Sequence, residues 1–383
     1  MQRKRLLLLV PLAAGAAVAA FFLLPPRSPI DALPADAFAV LTIDGDAMRA
    51  SSLASTFHEY SREFAKLPAG CNVTLSERID EAALAVAEGK PELGIALSGK
   101  LSEAELIACK EALQKPEAPK GPAPAASATV TEFDHGSFRV SKSDLSGRQM
   151  YVAWNRRGPL TLGVGPYTER MLDAVDGKVP RVGSAGDLHG ELRASLTKSA
   201  KTRVGALLTV RPTAKLREEF LEYIPSGSFL ERAKPLTTIA AFGLALVPGV
   251  KDGEAEFLAE ARCDDEALCE KIKELVLRQR FEFGKNFAVR LGGFGPVLDN
   301  LTVTRDGKRL TVRTHDSAEA LARNLAQAKS ALSFANLDFG KPKTTKPEAP
   351  APTISREPIP SPSSPGAPVG TATTGATASP QKP

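Results

Sequence analysis

The chain is poor in the residues on which much chemistry and recognition depend. Its 383 residues hold four His, four Cys, four Tyr and one Trp. His58, His135, His189 and His315 fall into no ligand spacing and no Cys-x-x-Cys occurs, so no zinc site is expected. The few Tyr and Trp leave little surface for stacking bases or sugars. Charge of one sign is also scarce. A net +5 comes from 49 basic and 44 acidic residues that alternate through the body, which excludes a nucleic-acid footprint.

Catalytic signatures are missing as well. There is no Gly-x-Ser-x-Gly elbow, Walker loop or His-Glu-x-x-His. The cluster Leu291-Gly292-Gly293-Phe294-Gly295-Pro296 lacks the Lys-Ser/Thr of a phosphate loop, and Pro296 stands where a phosphate-binding helix would begin; it reads as a tight turn between strands. Asp44-Gly45-Asp46 resembles the start of a calcium loop, but Ser55 occupies the twelfth position, where a Glu is needed; helix capping by Asp46 is the simpler reading. His189 and Ser195 are close in sequence without implying a triad. The histidines read as surface or turn residues. No cofactor, metal or catalytic residue is expected.

What is present is an address. Gln2-Arg3-Lys4-Arg5 precedes an uncharged apolar run from Leu6 to Leu24, closed by Pro25-Pro26. As a helix the run spans ~28 Å, close to a bilayer core. The basic cluster before it places the N-terminus in the cytoplasm and the rest outside. The expectation is a single-pass anchor in a bacterial inner membrane, with the bulk of the chain extracytoplasmic. The alternative is a signal peptide cleaved near Ala17-Val18-Ala19, leaving a secreted protein.

An extracytoplasmic body allows disulfides. Cys71, Cys109, Cys263 and Cys269 are the candidates, with Cys71–Cys109 and Cys263–Cys269 favoured because each pair sits within one half of the chain. Buried free thiols are the alternative.

The expected organisation is an anchor at 1–28, an α+β repeat at 29–176, a Gly-rich linker at 177–202, a second α+β repeat at 203–340 and a disordered Pro/Ser/Thr/Ala-rich tail at 341–383. Each half reads β-α-β-β-α-β-β-β-α with largely antiparallel sheets. The periodicity predicts a helix over 47–66 and, in the second half, one over 265–280 capped by Asp264. Ala206–Val210 matches Ala39–Ile43, and Tyr151–Met171 lies over Leu301–Leu321 without a gap. Asp306-Gly307 between alternating runs is the strongest hairpin signal.

The opening Leu33-Pro34-Ala35-Asp36, running into Phe38–Ile43, resembles the start of uncharacterised exported bacterial proteins with an N-terminal anchor and a repeated α+β body. The resemblance implies export and an α+β fold, and assigns no activity and no functional residue.

These features together predict a non-catalytic cell-envelope protein. It would hold the membrane through residues 6–24 and bind another envelope component, a protein or peptidoglycan. The alternatives are a spacer acting through the tail and an enzyme whose site leaves no sequence motif.

Overall fold

The structure is a computed structural model. It describes residues 27–64, 75–89, 92–101, 130–145, 148–155, 158–222, 233–249 and 253–321, with isolated positions at 104, 105, 108, 231 and 323. The expected anchor, the tail at 341–383 and the pair Cys71 and Cys109 lie outside these residues. Among the described residues no helix is long and apolar enough to cross a membrane.

The fold is α+β, as expected. Its strands are β1 (Ala39–Asp44), β2 (Ile79–Val86), β3 (Leu93–Gly99), β4 (Val130–His135), β5 (Phe138–Leu145), β6 (Arg148–Trp154), β7 (Leu160–Val164), β8 (Ala206–Val210), β9 (Ile239–Val247), β10 (Glu254–Cys263), β11 (Thr302–Asp306) and β12 (Arg309–Ser317). All join one antiparallel sheet in the order β11-β12-β10-β9-β8-β1-β2-β3-β7-β6-β5-β4. The two expected repeats therefore share a single sheet. They meet where β1 pairs with β8, with Leu41 opposite Leu208. Outward from that pair the order reads the same on both sides for five strands: β1-β2-β3-β7-β6 and β8-β9-β10-β12-β11. Strands β4 and β5 have no counterpart among the described residues, so the two sides differ in strand number.

The helices are α1 (Gly45–Arg49), α2 (Ala54–Phe64), α3 (Leu75–Arg78), α4 (Tyr167–Val175), α5 (Leu188–Ser199), α6 (Ala214–Glu222), α7 (Glu266–Lys285), α8 (Phe287–Val289) and α9 (Gly295–Asp299). Several depart from expectation. The helix predicted over 47–66 is broken at Ser51: its hydroxyl donates to the Met48 carbonyl and accepts from the Leu53 amide, diverting the chain into a turn. Asp44, not Asp46, caps α1 by accepting from the Ala47 amide at 2.9 Å. Asp265, not Asp264, caps α7. The segment read as a linker carries α5, whose Leu192 and Leu196 are fully buried. The glycine cluster at 291–296 does not turn between strands; it runs from the helical turn Arg290–Phe294 into the start of α9, with Gly293 at φ 82°. The Asp306-Gly307 signal does mark a hairpin: Asp306 pairs with Arg309, and Gly307 takes φ 57°.

Residues paired directly across an antiparallel ladder point to the same face. One face lies beneath α4, α5 and the 3-10 turn Pro29–Ala32. It carries small side chains through its middle: Ala83, Ala85, Gly94, Ala96, Thr161, Gly163, Thr209, Ala241, Gly243 and Ala245. Small residues let the helices come close. A Cβ on Gly163 would lie 2.1 Å from the Thr168 hydroxyl oxygen and 2.9 Å from the Leu93 carbonyl. A Cβ on Gly243 would lie 2.7 Å from Leu196.

Gly163→Val is therefore expected to destabilise the protein by about 1–3 kcal/mol through overpacking. Leu162→Val, one residue along on the opposite face, should cost less. Urea unfolding of the two variants checks the order.

Candidate functional site

The opposite face is built from larger side chains. Following the ladders from the central pair gives one continuous rung: Val303–Val312–Ala259–Leu244–Leu208–Leu41–Leu84–Ile95–Leu162–Val152. At about 4.8 Å between strands it runs roughly 43 Å. Two more rows lie beside it, with Phe242, Val210, Ala39, Val86, Leu93, Val164 and Met150 along one side.

The described helices cover part of this face. At one end α7 packs Cys269, Ile272 and Val276 over Leu310, Ala261 and Val303. Along one margin Met48, Leu53 and Phe57 pack against Ile43, Leu246 and Phe257. Between these covers the rung stays half-buried throughout, and Leu244 and Phe242 are 40% and 39% exposed. The less protected face thus carries Leu, Ile and Val along its rung, while the covered face combines Ala, Gly and Thr with the buried Val40, Tyr151, Leu207, Val247 and Leu258. An ordinary half-solvated sheet places polar residues on its open side. Apolar surface continuous over this distance and left partly open is unusual.

Near the C-terminal end of α7 more apolar surface is open. Phe281 and Phe287 are 62% and 75% exposed, and Lys285 sits 3.8 Å from the Phe281 ring centroid.

The covered face holds a polar seam at the β1–β8 pair. His189, in the first turn of α5, is 1% exposed, which corrects its reading as a surface or turn histidine. Its Nε2 lies 2.8 Å from the Ala37 carbonyl and its Nδ1 2.8 Å from the Thr209 hydroxyl. A carbonyl can only accept, so Nε2 carries the proton and Nδ1 accepts from Thr209. The neutral ring thereby ties the start of β1 to β8. Burial lowers its pKa below the ordinary value; the Ala37 bond and Asp187 oppose this, and Arg211 and Arg193 reinforce it.

One helical turn along, Arg193 donates from Nη2 to the Thr42 hydroxyl at 2.9 Å. Its Nη1 is buried with no hydrogen-bond partner, an arrangement that costs about 1–3 kcal/mol or more when left unfilled. Burial lowers its pKa to about 10, while Glu81 and Asp187 act to raise it.

Several other polar groups are tied into the framework, although Glu256 Oε2 and Glu260 Oε1 are likewise buried without a hydrogen-bond partner. Glu256 pairs with Arg313 at 2.9 Å, and Glu260 accepts from the Ser195 hydroxyl at 2.5 Å. Ser195 thus engages an acid on β10 and not His189. His135 contacts Asp173 at 2.8 Å, His58 contacts Ser76 at 2.9 Å, and His315 is exposed on β12. Cys263 and Cys269 form a disulfide with a Cα–Cα distance of 5.6 Å, joining the end of β10 to the first turn of α7 beside Ile272 and Leu310. It is a structural staple. Among the described residues no three His, Cys, Asp or Glu side chains converge as metal ligands. Sequence reasoning missed both His189 and Arg193. The signal for the buried histidine is the spacing of His189, Leu192 and Leu196, which puts all three on one face of a helix.

No family model matches the chain, and no curated protein does. Two solved structures are similar in outline. The "Structure of crystal form III of TP0453" matches with a TM-score of 0.45 and 13% identity, over 79% of this chain and 98% of that one. The "Structure of crystal form I of TP0453" matches with a TM-score of 0.44 and 14% identity, over 78% and 97%. Likeness at this level carries no argument about function.

His189 yields a pH dependence. Its folded pKa is depressed, so the unfolded chain binds the proton more readily, and the contribution is fully present above about pH 6.5. It is lost as pH falls from there toward the folded value. Thermal melts between pH 7.5 and 5 should show a stability loss whose slope, up to about 1.4 kcal/mol per pH unit, shrinks in His189→Gln.

Proposed function

We propose that the protein is a non-catalytic cell-envelope protein. Residues 6–24 anchor it in the membrane, and its extracytoplasmic α+β body binds another envelope component through the open apolar sheet face. The observation that carries this reading is the partly open apolar rung itself. Aliphatic residues line it from Val303 to Val152 and stay partly exposed, where an open sheet face ordinarily carries polar side chains. Burying a Leu or Phe side chain contributes about 1.5–3 kcal/mol, so a row of such residues left half in solvent favours a partner that covers it.

The body is also read as a duplication, with β1 and β8 at its centre. The ladder registers support this. Matching Leu41 to Leu208 and stepping outward pairs Leu84 with Leu244, Ile95 with Ala259 and Leu162 with Val312. The last pair is the one that the gapless overlay of Tyr151–Met171 on Leu301–Leu321 gives independently. One further step requires a slip of one residue, because Val152 then meets Val303 and not Thr302. The shorter loop between β11 and β12, Gly307-Lys308, accounts for the slip. On this reading the apolar rung is symmetric about the seam and offers a partner two similar surfaces.

A photocrosslinking residue at position 244 of the full-length protein, activated in native membranes, tests the role of the open face. A discrete adduct is expected from position 244 and not from position 315. Its yield should fall at least about tenfold when Phe242→Lys removes an apolar neighbour. Equal adducts from both positions, or none from position 244, would refute binding through this face.

A further inference from the structure

Helix α7 ends in an apolar, convex tip. Asn286 is extended and closes the helix, and the chain turns into α8 at Phe287. Phe281, Phe283 and Phe287 are 62%, 48% and 75% exposed around this turn, and Leu277, one turn before Phe281, is exposed as well. Phe283 continues the core-facing stripe of Cys269, Ile272 and Val276, but the core no longer reaches it. At 3.6 residues per turn, Phe281 and Phe283 point about 160° apart around the helix axis. The turn is braced. Arg280 donates to the carbonyls of Leu298 and Asp299, at 2.9 Å each, and Arg290 pairs with Asp299 at 2.9 Å. The phenylalanines therefore stand on a fixed support.

The charge around the tip has one sign. Across 271–290, Lys271, Lys273, Arg278, Arg280, Lys285 and Arg290 stand against Glu274 and Glu282. Arg278 and Lys285 are exposed and form no ion pair among the described residues. Beside the tip lies a cavity of about 380 Å³, lined by Leu277, Phe281 and Leu298 together with Lys285, Arg280 and Arg290. Asp299 also lines it, but is paired with Arg290. Exposed aromatic side chains ringed by cations complement a medium that is apolar inside and anionic at its surface.

We propose that the tip of α7 docks on a bilayer surface rich in anionic phospholipid. Leu277, Phe281, Phe283 and Phe287 enter the boundary between headgroups and acyl chains, and Arg278 and Lys285 lie among the phosphates. Lys285, 3.8 Å from the Phe281 ring centroid, lays its stem along the ring and keeps its ammonium at the headgroup level. A single protein surface would have to wrap a helix end to cover side chains that point in nearly opposite directions. A fluid headgroup layer surrounds a convex tip on every side and needs no such match. The contact uses no residue of the open rung, so it stands or falls apart from binding there.

Fluorescence quenching of the full-length protein carrying Phe287→Trp tests the assignment. The protein is reconstituted in vesicles, and protein-free vesicles of the same lipid are added, so that a tip facing away from its own bilayer also meets lipid. With phosphatidylglycerol brominated in its acyl chains, emission of the introduced indole, after subtraction of the Trp154 signal of the unsubstituted protein, should fall at least about twofold. Brominated phosphatidylcholine should quench it far less. Arg278→Glu combined with Lys285→Glu, or salt at about 1 M, should remove most of the difference between the two lipids. The lipid comparison uses one protein in two lipids, so it decides the question even if the charge-reversed variant misfolds. Equal quenching by both lipids would overturn the proposal. Quenching no greater than that of the unsubstituted protein would also overturn it, and would point to a protein partner instead.

Discussion

The antiparallel pairing of β1 with β8 is the contact on which the rest of the molecule depends. Five residue pairs, from Ala39–Val210 to Ile43–Ala206, join chain segments more than 160 positions apart into one sheet. Without them the strands would form two smaller sheets, each with an exposed edge of unpaired amides and carbonyls, a liability in any β protein. The surrounding groups reinforce the joint. His189 bonds the carbonyl of Ala37 just before β1 and the hydroxyl of Thr209 on β8, and Arg193 reaches from the same helix to Thr42. The Arg211 amide closes the ladder on the Phe38 carbonyl at 2.8 Å. Helix α5 lies over this joint and over β9 and β10, so it acts as a strap across the seam.

Once the sheet is continuous, the division of its faces follows. Helices α4 and α5 come close only because Gly94, Gly163 and Gly243 leave room for Met171, Thr168 and Leu196. The intervening residues of each strand, among them Leu41, Leu84, Leu162, Leu208 and Leu244, fall on the other face. Helices α2 and α7 reach only the margins of that second face. An apolar floor therefore stays open between them, continuous across the joint because Leu41 and Leu208 stand directly opposite. The open face, proposed as the binding surface, thus depends on the same strand pair that the seam ties together.

Much of this architecture was legible locally. The alternating runs at 206–210 and 254–262, the helix at 167–175 and the Asp306-Gly307 hairpin depend on neighbours in sequence, and the structure places them within a residue or two. The Cys263–Cys269 disulfide joins two cysteines of the same half, the ground on which this pairing was favoured. What could not be read was long range. Nothing local specifies that β7 lies beside β3, or that β1 pairs edge to edge with β8. Helix α5 was hidden by its flanks: Gly177, Gly183 and Gly186 all take positive φ and make the segment look like a linker. The capping shift from Asp46 to Asp44 reflects two carboxylates two residues apart, either of which suits a helix start. The polar ties of the seam were invisible because His189 and Arg193 meet Ala37, Thr42 and Thr209 from distant segments.

Amide hydrogen exchange across β1 and β8 in the full-length protein tests the central claim most directly. If the seam is the joint of one cooperative sheet, the inward-bonded amides of 40–43 and 207–209 exchange only through global unfolding, as slowly as those of β2 and β9. Rapid exchange in these two strands, with β2–β3 and β9–β10 still protected, would mean that the two sides fold as separate bodies and would contradict the account.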